Sequence, residues 1–320
     1  LGEARGLPGC VYGEDFFELE RRLLFPRSWC AVAVGAELPE PGDALPTSLA
    51  GWPLLLVRGR DGGIKAFHNI CRHRGMRVVM EPCKGRNNFS CPWHGWTYDL
   101  DGRLVGTPHL GGRGVHRVEA HDRDELGLKP VRVGCWNDLV VVNIDGEAPP
   151  LGEFTREIDG FLSGYPFKAL GHAGKWQSVY EGNWKIAMEG GVEEYHLPWG
   201  HPSLMEGVKS QEVRYSLGSR CHSGHAVIQS FDKRASDRVS LPILPGLESV
   251  DARATFHIHS IFFTGLIAVE ANNFTVGLFT PDGWNRSNIV FHFYHERGAA
   301  VDEANAEARE LSYNTYSEVG

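Results

Sequence analysis

Two short strings, Cys71-Arg72-His73-Arg74-Gly75 and Cys91-Pro92-Trp93-His94-Gly95-Trp96, each bring one Cys, one His and one Gly within a few residues. Two thiolates and two imidazoles on paired tight loops can hold a 2Fe-2S cluster, with Cys on one iron and His on the other. The same four residues could in principle hold tetrahedral zinc, because Cys2His2 is also a zinc ligand set. Zinc fingers usually pair their Cys on one knuckle and their His on one helix, whereas here each loop gives one of each. Gly75 and Gly95 fit the cluster better, since glycine lets the backbone approach inorganic sulfides closely and donate N–H groups to them. Redox chemistry is therefore the first expectation for this chain.

Composition removes other classes. At 320 residues with 42% apolar content, the chain can bury cores for about two domains. Its longest apolar stretches, such as 261–269, fall short of the roughly 20 residues that span a bilayer, and no basic-plus-apolar signal segment opens it. No membrane association and a cytoplasmic location are expected. A net charge of −8 without a basic stripe argues against nucleic acid as a partner. Seven Cys are an odd, scattered number in a chain too large to need staples, so Cys10, Cys30, Cys83, Cys135 and Cys221 read as reduced, mostly packing thiols.

Along the chain, 15–25 reads as an amphipathic helix with apolar residues at 16, 19 and 23, stopped by Pro26. From Trp29 to about Asp145 short β-branched runs alternate with Gly, Pro and Asp turns, the pattern of a small antiparallel β domain that contains both Cys/His strings. Ala148-Pro149-Pro150-Leu151-Gly152 reads as a linker. Beyond it, 254–268, 273–280 and 287–294 read as long aromatic-rich strands, and 302–317 as a closing amphipathic helix with Asp302 and Glu303 as N-terminal charges. The fold class is α+β.

The Cys/His motif and its spacing match Rieske proteins. High-potential Rieske proteins of cytochrome bc complexes carry an additional Cys in each loop, forming a disulfide, and a Ser after the second His-Gly. Met76, Trp93 and Trp96 stand in those places here. Without the disulfide and a hydroxyl donor to sulfur, the potential is expected toward the low end of the Rieske range, about −150 mV.

In the second half, Asn183-Trp184-Lys185 is followed by Glu189-Gly190-Gly191-Val192-Glu193 and then by His196 and His201. Two His near carboxylates suggest the two-His-one-carboxylate site of non-haem Fe(II) oxygenases. A regular helix would put residues five apart about 140° from each other, too far to share one ion. Pro198 is expected to break that path and return His201 to His196. Read alone, two such His are more often unrelated polar residues than ligands.

Beside the Cys/His strings, this stretch resembles the iron-binding segment of Rieske non-haem iron oxygenase α subunits, the aromatic-ring-hydroxylating and quaternary-ammonium-oxidising family. The resemblance runs from the helix around Phe17 through the aromatic sheet. It implies an all-β Rieske 2Fe-2S domain at 28–147, and an α+β catalytic domain from 1–27 and 148–320 with a large antiparallel sheet of helix-grip, START-like type. Cys71, His73, Cys91 and His94 would hold the cluster, and His196 and His201 a mononuclear Fe(II). Glu193, three residues before His196, would be the carboxylate that links a cluster His to an iron-ligating His across a subunit boundary in a homotrimer or a multiple of three.

Two positions depart from the family pattern. The bridging residue is commonly Asp and here is Glu193, as in members acting on quaternary ammonium compounds; Gly190 replaces a common Asn, implying a roomier pocket. The third iron ligand would be an Asp expected beyond Gly320, making the chain a fragment; Glu318 sits too early. His257, His259, His292 and His295 read mostly as surface or satisfied core groups, and the many Phe as core. No Gly-x-Gly-x-x-Gly follows a strand, so NAD(P)H oxidation is expected on a separate reductase, with or without a ferredoxin. The activity implied is hydroxylation or dihydroxylation of an aromatic substrate, or oxidation of a quaternary ammonium compound, with O2. The alternative is a Rieske electron-transfer or ligand-binding protein without a working second iron site.

Overall fold

The computed structural model describes residues 8–115, 122–193, 195–205, 208–216, 222–231, 241–249, 252–253 and 255–317. Contacts divide the chain into two compact units: Glu20–Ala148, and the chain up to Leu19 together with Pro149 onward. Cys221 lies outside the described residues.

The first unit is all-antiparallel β. A six-stranded sheet runs in the order Cys30–Val34, Leu139–Asn143, Pro130–Trp136, Ile64–His68, Trp52–Arg58, Ala44–Leu49. Its strands Cys30–Val34 and Leu139–Asn143 are buried throughout, which explains why they read as unbroken apolar runs and not as alternating ones. Beside it, Asn88–Ser90, Thr97–Asp99 and Leu104–Gly106 form a three-stranded sheet. Cys71 and Cys91 are buried in a core with Leu55, Phe67, Phe89, Tyr98 and Leu104. Asn143 joins the unit's two ends: its Nδ2 donates to the carbonyl of Pro26 at 2.9 Å and its Oδ1 accepts from Ala148 N–H at 3.0 Å.

The second unit is built on a seven-stranded antiparallel sheet ordered Leu170–Tyr180, Ser287–Glu296, Phe274–Pro281, Gly265–Val269, Thr255–Ile261, His222–Phe231, Val208–Ser216. Strand alternation gives it two chemically distinct faces. Leu266, Phe279, Phe291 and Phe293 share one face and pack against Met188 of helix Trp184–Val192 and Tyr313 of helix Ala306–Ser317. His257 and His259 lie on the other, with Phe161 of helix Leu151–Phe161 edge-on to both rings at 5.3 and 4.6 Å. His259, His292 and His295 are buried, not surface groups. No helix among the described residues is long and apolar enough to cross a membrane.

Several local expectations need correction. Helix Glu14–Leu23 forms, but Phe16, Leu19 and Leu23 are its exposed side, while Phe17 and Glu20 are buried. The long strand read at 254–268 is a hairpin: Ile261 pairs with Gly265, and Phe262 and Phe263 turn the chain at φ 49° and 55°. A left-handed residue costs roughly 1–2 kcal/mol for an L side chain, so an aromatic run carries no signal for such a turn. At the closing helix, Asp302 caps as expected, its side chain accepting from Ala304 N–H. Cys30 is buried and Cys83 half-buried, but Cys10 and Cys135 are exposed.

Candidate metal centres

The two Cys/His strings form two loops of the same design. Cys71 N–H donates to Met76 O at 2.7 Å and Gly75 N–H to Cys71 O at 3.0 Å; Cys91 N–H donates to Trp96 O at 2.8 Å and Gly95 N–H to Cys91 O at 2.9 Å. Gly75 and Gly95 adopt φ 76° and 70°, which only glycine takes without strain.

The donors meet as like pairs. Burial raises the Cys91 thiol above its ordinary range and a hydrogen bond with the Cys71 thiol adds to this, while the N–H groups of Trp93 and His94 donate to the Cys91 sulfur and oppose that shift. The rings of His73 and His94 stand edge to face at 4.6 Å. Burial, then the neighbouring His94 and Arg74, holds His73 below the usual imidazole range, in the neutral form that binds metal. His73 Nδ1 is buried and meets no protein partner. Among the described residues no three Cys, His, Asp or Glu side chains close on a single-ion position. A thiol pair beside an imidazole pair, with a buried unpartnered ring nitrogen between the loops, fits a two-iron cluster with Cys on one metal and His on the other.

Two further residues shape this centre. Tyr98 accepts from Arg72 N–H at 3.0 Å, and its hydroxyl lies 3.3 Å from the Cys71 sulfur, to which it donates when that sulfur is a thiolate. A hydroxyl donor to sulfur is thus present after all, supplied seven residues beyond Cys91 by the hairpin that folds strand Thr97–Asp99 back beneath the loop. Trp96 stacks flat on His73 at 4.8 Å, so the residue standing in place of Ser fixes an imidazole plane instead.

The second segment is organised differently from the sequence expectation. Asn183 caps helix Trp184–Val192, accepting from Lys185 N–H, and donates to the carbonyls of Tyr12 and Trp284. Gly191 lies where a Cβ would come within 2.8 Å of Leu266, so the helix can press onto the sheet; Gly190 is exposed, with nothing within 4 Å of where a Cβ would sit. The helix ends before Glu193, which is extended at φ −114°. His196 and His201 then flank a single turn, Leu197–Gly200, with Pro198 at its start. The break lies before His196, not at Pro198, whose missing N–H is harmless in a first turn.

The outcome is still convergence. The His196 and His201 rings stand at 5.2 Å and 82°. Gly200 leaves room for the first of them, since a Cβ there would sit 3.3 Å from His196 Cδ2. Although Glu193 and His196 are not on one helix, the Glu193 carboxylate accepts from His196 twice, from the ring at Nδ1 and from the backbone N–H at 3.2 Å. A carboxylate holding Nδ1–H turns Nε2 outward as the metal-binding atom. Two imidazoles so placed fit two positions of an Fe(II) site. Tyr195 and Trp199, on either side of His196, are 84% and 85% exposed.

Two antiparallel β units, one with paired Cys/His loops and one with a carboxylate-tied His pair, define a class: an iron–sulfur domain joined to a mononuclear-iron catalytic domain. Comparison with known proteins agrees. Residues 28–121 match the Rieske [2Fe-2S] domain, and residues 167–318 match the ring hydroxylating alpha subunit (catalytic domain). The chain therefore carries a Rieske [2Fe-2S] domain and a ring hydroxylating alpha subunit catalytic domain, the two domains that bring a Rieske cluster and a mononuclear iron.

The glycine betaine monooxygenase oxygenase subunit of Chromohalobacter salexigens is 35% identical over 201 residues, covering 62% of this chain and 44% of that one. The biphenyl dioxygenase subunit alpha of Metapseudomonas furukawaii is 34% identical over 198 residues, covering 59% and 43%. The chain spans about half the length of the curated relatives it matches. In fold it is similar to the crystal structure of a quaternary ammonium Rieske monooxygenase, with TM-score 0.78, 23% identity and coverage of 98% of this chain and 81% of that one. Naphthalene 1,2-dioxygenase from Rhodococcus sp. follows at TM-score 0.75, 21% identity and coverage of 97% and 76%.

Proposed function

We propose that this chain is the oxygenase component of a multicomponent Rieske oxygenase, and the observation that carries the reading is the His196–His201 pair tied to Glu193 in the same chain as the Cys/His loops. In this reading Cys71, His73, Cys91 and His94 ligate the cluster, and His196 and His201 ligate the mononuclear iron together with an Asp beyond Gly320. When bound, the cluster supplies single electrons and the iron activates O2 for hydroxylation or dihydroxylation. Glu193 keeps the Nδ1 proton on His196 and so fixes its ring. It is also the link through which a neighbouring copy's cluster His passes charge, in a homotrimer or a multiple of three. The exposed Tyr195 and Trp199, and the exposed Arg72, Arg74, Arg77 and Trp93 in the cluster loops, support such an assembly, because large aromatic and Arg side chains are enriched where proteins meet.

The substrate in this reading is an aromatic or a quaternary ammonium compound. Glu in place of Asp at position 193, with the likeness to glycine betaine monooxygenase, favours the second. Hydroxylation beside a quaternary nitrogen ends in demethylation or C–N cleavage. NAD(P)H is oxidised on a separate reductase, with or without a ferredoxin, in the cytoplasm. The test is NADH-dependent O2 uptake with a reductase, screened on glycine betaine, carnitine and biphenyl, together with Glu193→Ala. The variant should keep both metal centres yet lose turnover, its cluster staying reduced under O2 and substrate. Normal turnover would remove Glu193 from the electron path. About two irons per chain, in place of about three, would point to a carrier.

A further inference from the structure

The two ligand loops are braced by different means. Loop 91–96 is the tip of a hairpin, its ends held by the ladder Ser90↔Thr97, Phe89↔Tyr98 and Asn88↔Asp99. The loop of Cys71 and His73 has no ladder: after strand Ile64–His68 no strand forms before Asn88–Ser90. One side chain stands where the ladder would be. Asn69 is buried, its Oδ1 accepts from Val78 N–H at 3.0 Å and Val79 N–H at 3.1 Å, and its Nδ2 donates to Val79 O at 2.7 Å. Its backbone N–H donates to Pro53 O at 2.9 Å, in the strand Trp52–Arg58. The side-chain amide therefore joins the far end of the loop to its near end, and the backbone N–H of the same residue ties the near end to the sheet.

We propose that Asn69 is a positioning residue for the cluster, serving as the missing strand neighbour of the first ligand loop and fixing where Cys71 and His73 present their donor atoms; this rests on the reading of those residues as cluster ligands. A buried amide with its partners in place selects one loop geometry, because alternatives strand two N–H groups and a carbonyl away from water. Cys71 is two residues and His73 four residues beyond Asn69, inside the span that the amide closes. Ligand orientation and hydrogen bonding to the sulfurs set the potential of such clusters, so loosening this span should reach the metal centre. The side chain acts through the loop and touches no ligand atom in the contacts described.

The test compares Asn69→Ala, which removes all three side-chain bonds, with Asn69→Asp, which keeps the two acceptor bonds and loses the donor. Thr97→Val serves as a control, since Thr97 braces only the other loop, donating through Oγ1 to Gly95 O at 2.9 Å. Amide hydrogen exchange at Val78 and Val79 is read in the cluster-free full chain, and the reduced-state EPR spectrum, the potential and the rate of cluster loss to a chelator in the loaded one. Asn69→Ala should exchange both amides and lose the cluster at least about tenfold faster, since one lost bond of about 1.4 kcal/mol already gives that factor, with shifted EPR g values. Asn69→Asp should fall between it and the parent, and Thr97→Val should leave exchange at Val78 and Val79 unchanged. An Asn69→Ala protein with the parent's EPR spectrum, potential and rate of cluster loss overturns the proposal even if exchange rises. If that variant does not fold, Asn69→Asp decides, and an unchanged spectrum and rate of loss overturn it. A parent chain with no Rieske-type signal after loading with iron and sulfide overturns the cluster reading and the proposal with it.

Discussion

The cluster loops and the segment Glu193–His201 present metal donors in opposite ways. Cys71 and Cys91 are sunk in a core, and their loops are closed by a ladder on one side and a buried amide on the other. Glu193, His196 and His201 sit instead on a break between a helix and a single turn, flanked by exposed aromatics. The first arrangement supplies four donors and fixed surroundings, which suits a centre that changes only its charge. The second supplies two imidazoles and a carboxylate that orients one of them, which on the proposed reading would leave positions at the iron for O2 and a substrate.

The contrast is most sharply broken by removing a donor from each. Cys91→Ala should abolish the Rieske-type visible and EPR signals and lower iron from about three to about one per chain; a retained signal would remove Cys91 from the ligand set. His196→Ala should do the converse, keeping the signals with about two irons while substrate-dependent O2 uptake drops by at least about 100-fold. Equal loss of both centres in either variant would mean that the two regions do not act as separate sites.

Acid should separate the units next. Burial holds His292 and His295 neutral, down to about 3 and about 4, on strand Ser287–Glu296 of the larger sheet. An unfolded His titrates near 6.5, so between that value and about 4 the unfolded chain binds more protons and stability rises with pH. Lowering pH from 6.5 should therefore cost about 1.4 kcal/mol per pH unit for each such His. Urea midpoints followed through exchange of the 287–296 amides at pH 7 and pH 5 check it, and an unchanged midpoint would contradict it. The smallest effect is at Tyr98. Tyr98→Phe removes a hydrogen bond to the Cys71 sulfur and should lower the potential by about 40–60 mV, equivalent to about 1–1.4 kcal/mol for one electron. An unshifted titration would return the centre to the hydroxyl-free state first expected from Trp96.

What was legible in the sequence follows from how local each signal is. Both Cys/His strings carry their thiols, imidazoles, glycines and spacing within a few residues, so the domain they belong to could be read directly. Tyr98 and Asn69 could not, because each reaches the loop only after a hairpin or a buried amide brings distant backbone together. The meeting of His196 and His201 was legible, but its route was not: Pro198 draws the eye as a breaker, while the helix ends earlier, at Val192. In helix Glu14–Leu23, positions 16, 19 and 23 and positions 17, 20 and 24 offer competing stripes, and burial chose the second through Phe17 and Glu20. At Phe262 and Phe263 the residue types favour a strand, and only pairing on both sides imposes the turn.

The stacking of Trp96 on His73 also has an optical consequence. An indole in contact with a ligand of a broadly absorbing chromophore passes its excitation on instead of emitting it. Trp93, on the same loop as Trp96, lies 4.7 Å from the His94 ring at a tilt of 36°. The chain thus carries its own gauge: its fluorescence should dim as the cluster is assembled and brighten as it is lost, reporting occupancy in one unlabelled protein while turnover is measured beside it.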